Sequence, residues 1–196
     1  MNYLPFYFIV FWVFMSCNNS SSEENIQENK MIDTIVFASK DFALPVLNPN
    51  AQEIVGNWPI FQEFKSEALG LKKLHLADLK SKTERLLTQV DSLSKNIPDT
   101  LFSNAIQSRI SIVKTRINLL NQEVNKGRTN PEEIEKNLTE TQKAIVTFLV
   151  HINEKVLKDK IDFQRKDDEE KELEKQRKSR DSIFELELKD QKKQWP

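Results

Sequence analysis

The chain has 196 residues, 38% of them apolar, which is enough for one modest domain with appendages. Its 29 basic and 30 acidic residues leave a net charge of −1, with both signs interspersed, and this excludes the clustered cationic surface a nucleic-acid binder needs. Three glycines and one cysteine leave little material for phosphate-cradling loops or tight hairpins and none for an internal disulfide, so the composition favours helices.

The first element is an address. Tyr3 to Met15 is apolar apart from its tyrosine hydroxyls. As a helix it would span about 20 Å, too short for the roughly 30 Å hydrocarbon core of a bilayer but the right length for a signal-peptide h-region. Phe14-Met15-Ser16-Cys17 resembles the lipobox of bacterial lipoproteins, where a small residue precedes a cysteine that is lipidated and becomes the mature N-terminus. The start "MNYLPFYF" lacks the usual Lys or Arg, and Phe14 stands where an aliphatic is usual, so a free cysteine closing an apolar stretch remains the alternative. The following "NNSSSEENIQENK" is too polar to bury anything and suits a tether. Ser22-Glu23-Glu24 resembles the short serine and acidic export signals of surface-exposed lipoproteins of Bacteroidota.

Between residues 31 and 58, Pro45 and Pro49 argue against a regular element. The expectation is a strap laying Ile35, Phe37, Phe42 and Leu47 on the domain. "PIFQEFKSEALGLKKL" then places Phe61, Phe64 and Ala68 on one helical face, broken at Gly70. Three long stripes follow at alternating steps of four and three. The first is Leu79, Thr83, Leu86, Val90, Leu93 and Ile97, ended by Pro98. Asp99 or Thr100 is the expected cap of the second, which runs through Ile106, Ile110, Val113, Ile117, Leu120 and Val124. Gly127 is expected to close it in the left-handed conformation. Asn130 as N-cap, Pro131 at N1 and Glu133 reaching back as in a capping box open the third stripe, Ile134, Leu138, Thr141, Ile145, Phe148 and Ile152. Phe102, Ala105, Ile112, Leu119 and Leu149 are expected to widen the stripes towards the core.

Each stripe spans 19 residues with short connections. Equal helices joined this way become antiparallel neighbours, and steps averaging about 3.5 favour shallow, coiled-coil-like crossings. The expected fold is therefore all-α: an antiparallel up-down-up three-helix bundle with a short fourth helix over residues 58–69. After Ile161 the stripe fades into a charged helical extension in which Arg165 with Glu169 and Glu174 with Lys178 stand at i,i+4. "SIFELEL" and Trp195 then restore some apolar surface. The extension reads as a solvated continuation of the third helix or as a stalk that docks on a partner.

No catalytic, cofactor-binding or metal-binding signature is present. His75 and His151, the only histidines, lack HExxH or paired-cysteine company and read as surface residues. Arg109 and Arg116, seven apart, are candidates for an anion or partner contact, against the simpler reading that they pair with acids of the next helix. Asp-Ser/Thr followed by an aliphatic residue occurs four times, at Asp33, Asp91, Asp99 and Asp181, where composition alone gives about 0.4. The pattern resembles the O-glycosylation acceptor motif of exported Bacteroidota proteins, with Thr34, Ser92, Thr100 and Ser182 as acceptors. Helix capping by the same residue types is the alternative.

With Trp58, Pro98, "SRISIVKTRINLL" and "NPEEIEK", the chain resembles uncharacterised helical lipoproteins of flavobacteria and their relatives, over the lipobox and roughly residues 44–155. The resemblance implies a cell-envelope location, as an outer-membrane lipoprotein facing the periplasm or the exterior, and imports no site. The expected organisation is a signal peptide (1–16), lipidated Cys17 with tether and strap (17–52), a helical bundle (53–157) and a charged extension (158–196). The expected function is a lipid-anchored, non-enzymatic scaffold or binding module without a cofactor, held to the membrane through Cys17 and binding a protein partner but no nucleic acid. The alternative is a periplasmic chaperone-like or accessory subunit that docks through its charged C-terminal helix.

Overall fold

The computed structural model describes residues 34–38 and 42–194. The expected signal peptide, Cys17, the tether and Trp195 lie outside the described residues. Within them the chain is all-helical, with five helices: α1 (Pro49–Gly56), α2 (Pro59–Leu69), α3 (Leu76–Lys95), α4 (Asn104–Val124) and α5 (Pro131–Gln194). No strand forms among the described residues; a single antiparallel bridge joins Phe37 to Leu74.

All three stripes face inward as their spacing requires: apart from the half-buried Ile97, every stripe member is buried. α3 packs on α4, α4 on α5, and α2 on α3, while α1 touches α2 and α5. At one end Trp58 stacks on Phe61 (centroids 5.4 Å apart), and Phe61 and Phe64 each set a ring edge-on to Phe148 at 6.2 and 6.5 Å. This aromatic group ties α2 to α5. Two threonines in the apolar stripes are satisfied between helices. The Thr83 hydroxyl sits between the Lys80 carbonyl (2.8 Å) and Asn121 Oδ1 (3.0 Å), and that of Thr141 between the carbonyls of Asn137 (2.8 Å) and Arg116 (3.1 Å).

Several expectations need correction. Pro49 does not prevent a helix; it starts α1 at N1, where its missing N–H costs nothing, and Asn48 caps the turn by accepting from Ala51 N at 2.8 Å. The strap is more than a surface layer, because Phe37 and Leu47 are fully buried while Ile35 and Phe42 are half-buried. The cap of α4 is Ser103, which accepts from Ile106 N; Asp99 and Thr100 belong to a preceding turn closed by Leu101 N to the Pro98 carbonyl at 2.8 Å. No glycine has a positive φ, and α4 ends at Asn125 before Gly127 is reached. Asn130 does cap α5, accepting from Glu132 N at 2.9 Å, but Glu133 turns outward to Lys136 instead of closing a capping box. Of the five widening residues only Leu149 is buried; Phe102, Ala105, Ile112 and Leu119 are exposed.

Gly70 ends α2 as expected. Lys82 crosses over it to reach Glu67 at 3.0 Å, so a Cβ on residue 70 would displace the flexible end of the Lys82 side chain. Arg85 adds a second contact to Glu67 at 3.0 Å. Partial burial works to raise the Glu67 pKa, but the hydrogen bonds and charges of Lys82 and Arg85 outweigh it and hold the carboxyl below its ordinary value.

Candidate functional site

The segment before α1 is seated on α5 by specific hydrogen bonds. Phe37 and Leu74 exchange backbone bonds of 2.8 and 3.1 Å, and Lys73 N donates to the Ala38 carbonyl at 3.1 Å. Ala38 and Lys73 take φ values of 51° and 53°, a conformation that costs non-glycine residues about 1 kcal/mol or more each, so the surrounding contacts hold the bridge. Glu135 of α5 accepts from Ala38 N at 2.9 Å. Asn153, five turns further on, accepts from Asn48 N at 2.8 Å and donates to the Val46 carbonyl at 3.0 Å. Neither clamp has a sequence signal, because each joins residues about a hundred positions apart through one ordinary polar side chain. Where the strap meets the start of α5 they leave a shallow groove of about 530 Å³, with Ile35 and Phe37 on one side and Glu132, Glu135 and Lys136 on the other.

Arg109 and Arg116 lie on one face of α4, as their spacing requires. Arg116 stands 3.7 Å from Glu140 of α5, which also binds Lys143 at 2.9 Å. The hydrogen bond and charge of Lys143, aided by Arg116, keep the Glu140 carboxyl below its ordinary pKa. Arg116 is thus half of an interhelical ion pair, the simpler of its two readings. Arg109 is half-buried, with no carboxylate of the described residues in ion-pair range. Around Arg116, a surface groove of about 460 Å³ is lined by Ser111, Ile112, Thr115 and Leu119.

His75 is exposed at the start of α3. His151 is half-buried, with Nδ1 2.9 Å from the Thr147 carbonyl, a contact that requires the proton on that nitrogen, and Nε2 3.7 Å from Glu154. It borders a groove of about 420 Å³ shared with Ser103, Lys155 and Asp162, where Lys155 is already paired with Asp159. Among the described residues no group of three or more His, Cys, Asp or Glu could hold a metal ion, and no helix is long and apolar enough to cross a membrane.

Of the four candidate acceptors, Thr34, Thr100 and Ser182 are exposed and Ser92 is half-buried, its hydroxyl donating to the Thr88 carbonyl at 3.1 Å. None is a helix cap: the residues preceding the five helices are Asn48, Trp58, His75, Ser103 and Asn130. Capping therefore does not account for the repeated pattern. Asp91, in one copy, binds Lys114 of α4 at 2.6 Å.

α5 runs for 64 residues, about 96 Å, and only its first part is covered. Val156 is its last buried residue. Beyond it the helix is laced by its own side chains, Asp162 with Arg165 (3.2 Å), Asp167 with Lys171 (2.6 Å) and Glu174 with Lys178 (2.8 Å). Arg165 thus pairs with Asp162, three residues back, and not with Glu169. The extension also exposes Phe163, Leu173, Ile183, Phe184, Leu186 and Leu188.

Comparison with protein-family models, with curated proteins and with solved structures finds no match to this chain.

Proposed function

We propose that the protein is a lipid-anchored helical component of a bacterial envelope, a non-enzymatic scaffold or binding module whose α3, α4 and α5 form an antiparallel up-down-up bundle. The observation that carries the reading is the Phe14-Met15-Ser16-Cys17 stretch closing an apolar run and followed by a polar tether. Acyl chains on Cys17 would hold the chain at the outer membrane, since stable anchoring takes more than one chain. The helical body supports the scaffold reading: the polar groups on its inner stripes, Thr83 and Thr141, are engaged in hydrogen bonds and serve packing. Thr34, Thr100 and Ser182 are proposed glycan acceptors, with the half-buried Ser92 the poorest of the four.

A second reading, an accessory subunit docking through its C-terminal helix, draws support from the exposed apolar residues of that helix. Intact-mass analysis of the chain made in a lipoprotein-processing bacterium, beside Cys17→Ala, tests the anchor. The expected mature species begins at Cys17 with added acyl mass, both lost in the variant, and hexose-type increments would support the acceptors. An unprocessed chain without lipid would overturn the anchored reading.

A further inference from the structure

The helical register of α5 is continuous from body to extension, so one face can be followed along its whole length. At 3.6 residues per turn, Phe163, Leu173, Phe184 and Leu188 fall within an arc of roughly 80° that continues the face burying Ile134 to Val156. In the body that face is covered by the other helices; past Val156 all four residues are exposed, at 74, 59, 60 and 40%. The same arc carries Lys166, Glu170, Arg177 and Asp181, and none of these four has an ion-pair partner among the described residues. Each base precedes its acid by four residues, the weaker order for an intrahelical pair.

From Phe163 to Phe184 the order of residues along this face is its own reverse complement. About a point between Leu173 and Glu174, Phe163 mirrors Phe184, Lys166 mirrors Asp181, and Glu170 mirrors Arg177. Every aromatic thus meets an aromatic, every charge its opposite, and Leu173 approaches its own copy at the centre. This is the requirement of an isologous two-fold contact, in which residue i meets j and j meets i.

We propose that the exposed face of the α5 extension pairs with the same face of a second copy, antiparallel, about a two-fold axis at Leu173. The occupant is a second copy because the complementarity is internal to the sequence. The contact runs about 31 Å from Phe163 to Phe184 and lies beyond the bodies: Leu188 falls level with Asp159 of the partner, and only the last residues of α5, from Gln191, reach the level of the partner's Val156. A partner in the opposite direction places two bodies at opposite ends of the paired arms. The inference rests on reading the extension as a contact-making element and is independent of the lipid anchor.

Cysteine cross-linking of the full chain in a Cys17→Ala background, in detergent, tests it. Leu173→Cys is expected to give a disulfide-linked dimer on mild oxidation. Phe163→Cys and Phe184→Cys should each stay unlinked alone and form the disulfide-linked species only when mixed. Linkage of all three variants on their own would mean parallel pairing, and linkage of none would mean no self-contact; either overturns the proposal. Charge reversal gives a second measurement: Lys166→Glu or Asp181→Lys should weaken the dimer by about tenfold, and the two together should restore it. Reversals without effect would also overturn it. Because these residues lie outside the body, the body's unfolding transition stays as it is, and failure here leaves the mass test of the anchor untouched.

Discussion

From Pro131 to Val156, α5 turns an unbroken row of buried residues into the core, while from Leu157 onward no described side chain of the same helix is buried. The first stretch is helical because tertiary packing covers its apolar face. The second has no such cover and draws on local terms: good helix formers, pairs such as Asp167–Lys171 and Glu174–Lys178, and continuity with a helix already nucleated. Regular backbone therefore says little about what holds a segment in place, and the two stretches should respond to different perturbations.

The largest expected effect is in the body. Phe148→Ala removes the ring against which Phe61 and Phe64 pack and should cost about 3–5 kcal/mol in denaturant unfolding, whereas Phe163→Ala should leave that transition within about 0.5 kcal/mol. Equal losses at both positions would erase the distinction between the two stretches. Asn153→Ala should cost about 1–3 kcal/mol, because Asn48 N and the Val46 carbonyl each lose a partner, and protease access near residues 42–48 should rise. A smaller effect comes from pH. Glu67 has a depressed folded-state pKa, so its contribution is fully present above the ordinary glutamate value of 4.5 and is lost as pH falls through the folded value. Glu67→Gln should accordingly flatten part of the acid limb of the stability profile. The smallest effect belongs to the extension: Lys178→Glu replaces an attraction to Glu174 with a repulsion and should cost about 0.5–1 kcal/mol of local helix, read as reduced far-ultraviolet ellipticity at low salt without a shift in the body's transition.

How much of this was legible depended on whether the signal was periodic. The three stripes could be read because each repeats one requirement, burial, at helical spacing, so that single exceptions such as Thr83 and Thr141 do not break the pattern. Positions that occur once were read less well. Pro49 reads as a breaker because proline disrupts helix interiors, yet at N1 the same residue is favourable. Asp99, Thr100 and Ser103 are all competent caps, and which one serves is decided by the Pro98 turn. Phe102, Ile112 and Leu119 have the hydrophobicity of core residues, but Ile112 and Leu119 fall on an exposed face of α4 and Phe102 lies exposed in the chain just before its cap.

The candidate sites divide along the same line. Spacing placed Arg109 and Arg116 on one face but could not reveal Glu140 as the Arg116 partner. The Asn153 and Glu135 clamps were out of reach, since each depends on the path of a strap with no repeat of its own. The mirrored face of the extension lies openly in the sequence, but it becomes apparent only once Phe163 to Leu188 are known to share a register with the buried face of the body.

The separation of body from extension is tested most directly by comparing the unfolding free energy of the full chain with that of a chain ending after Lys158. The same cooperative transition is expected in both, within about 0.5 kcal/mol, with only the helical signal of the missing residues lost. A loss of more than about 2 kcal/mol, or failure of the shorter chain to fold, would contradict it by showing that residues beyond Val156 help to build the core.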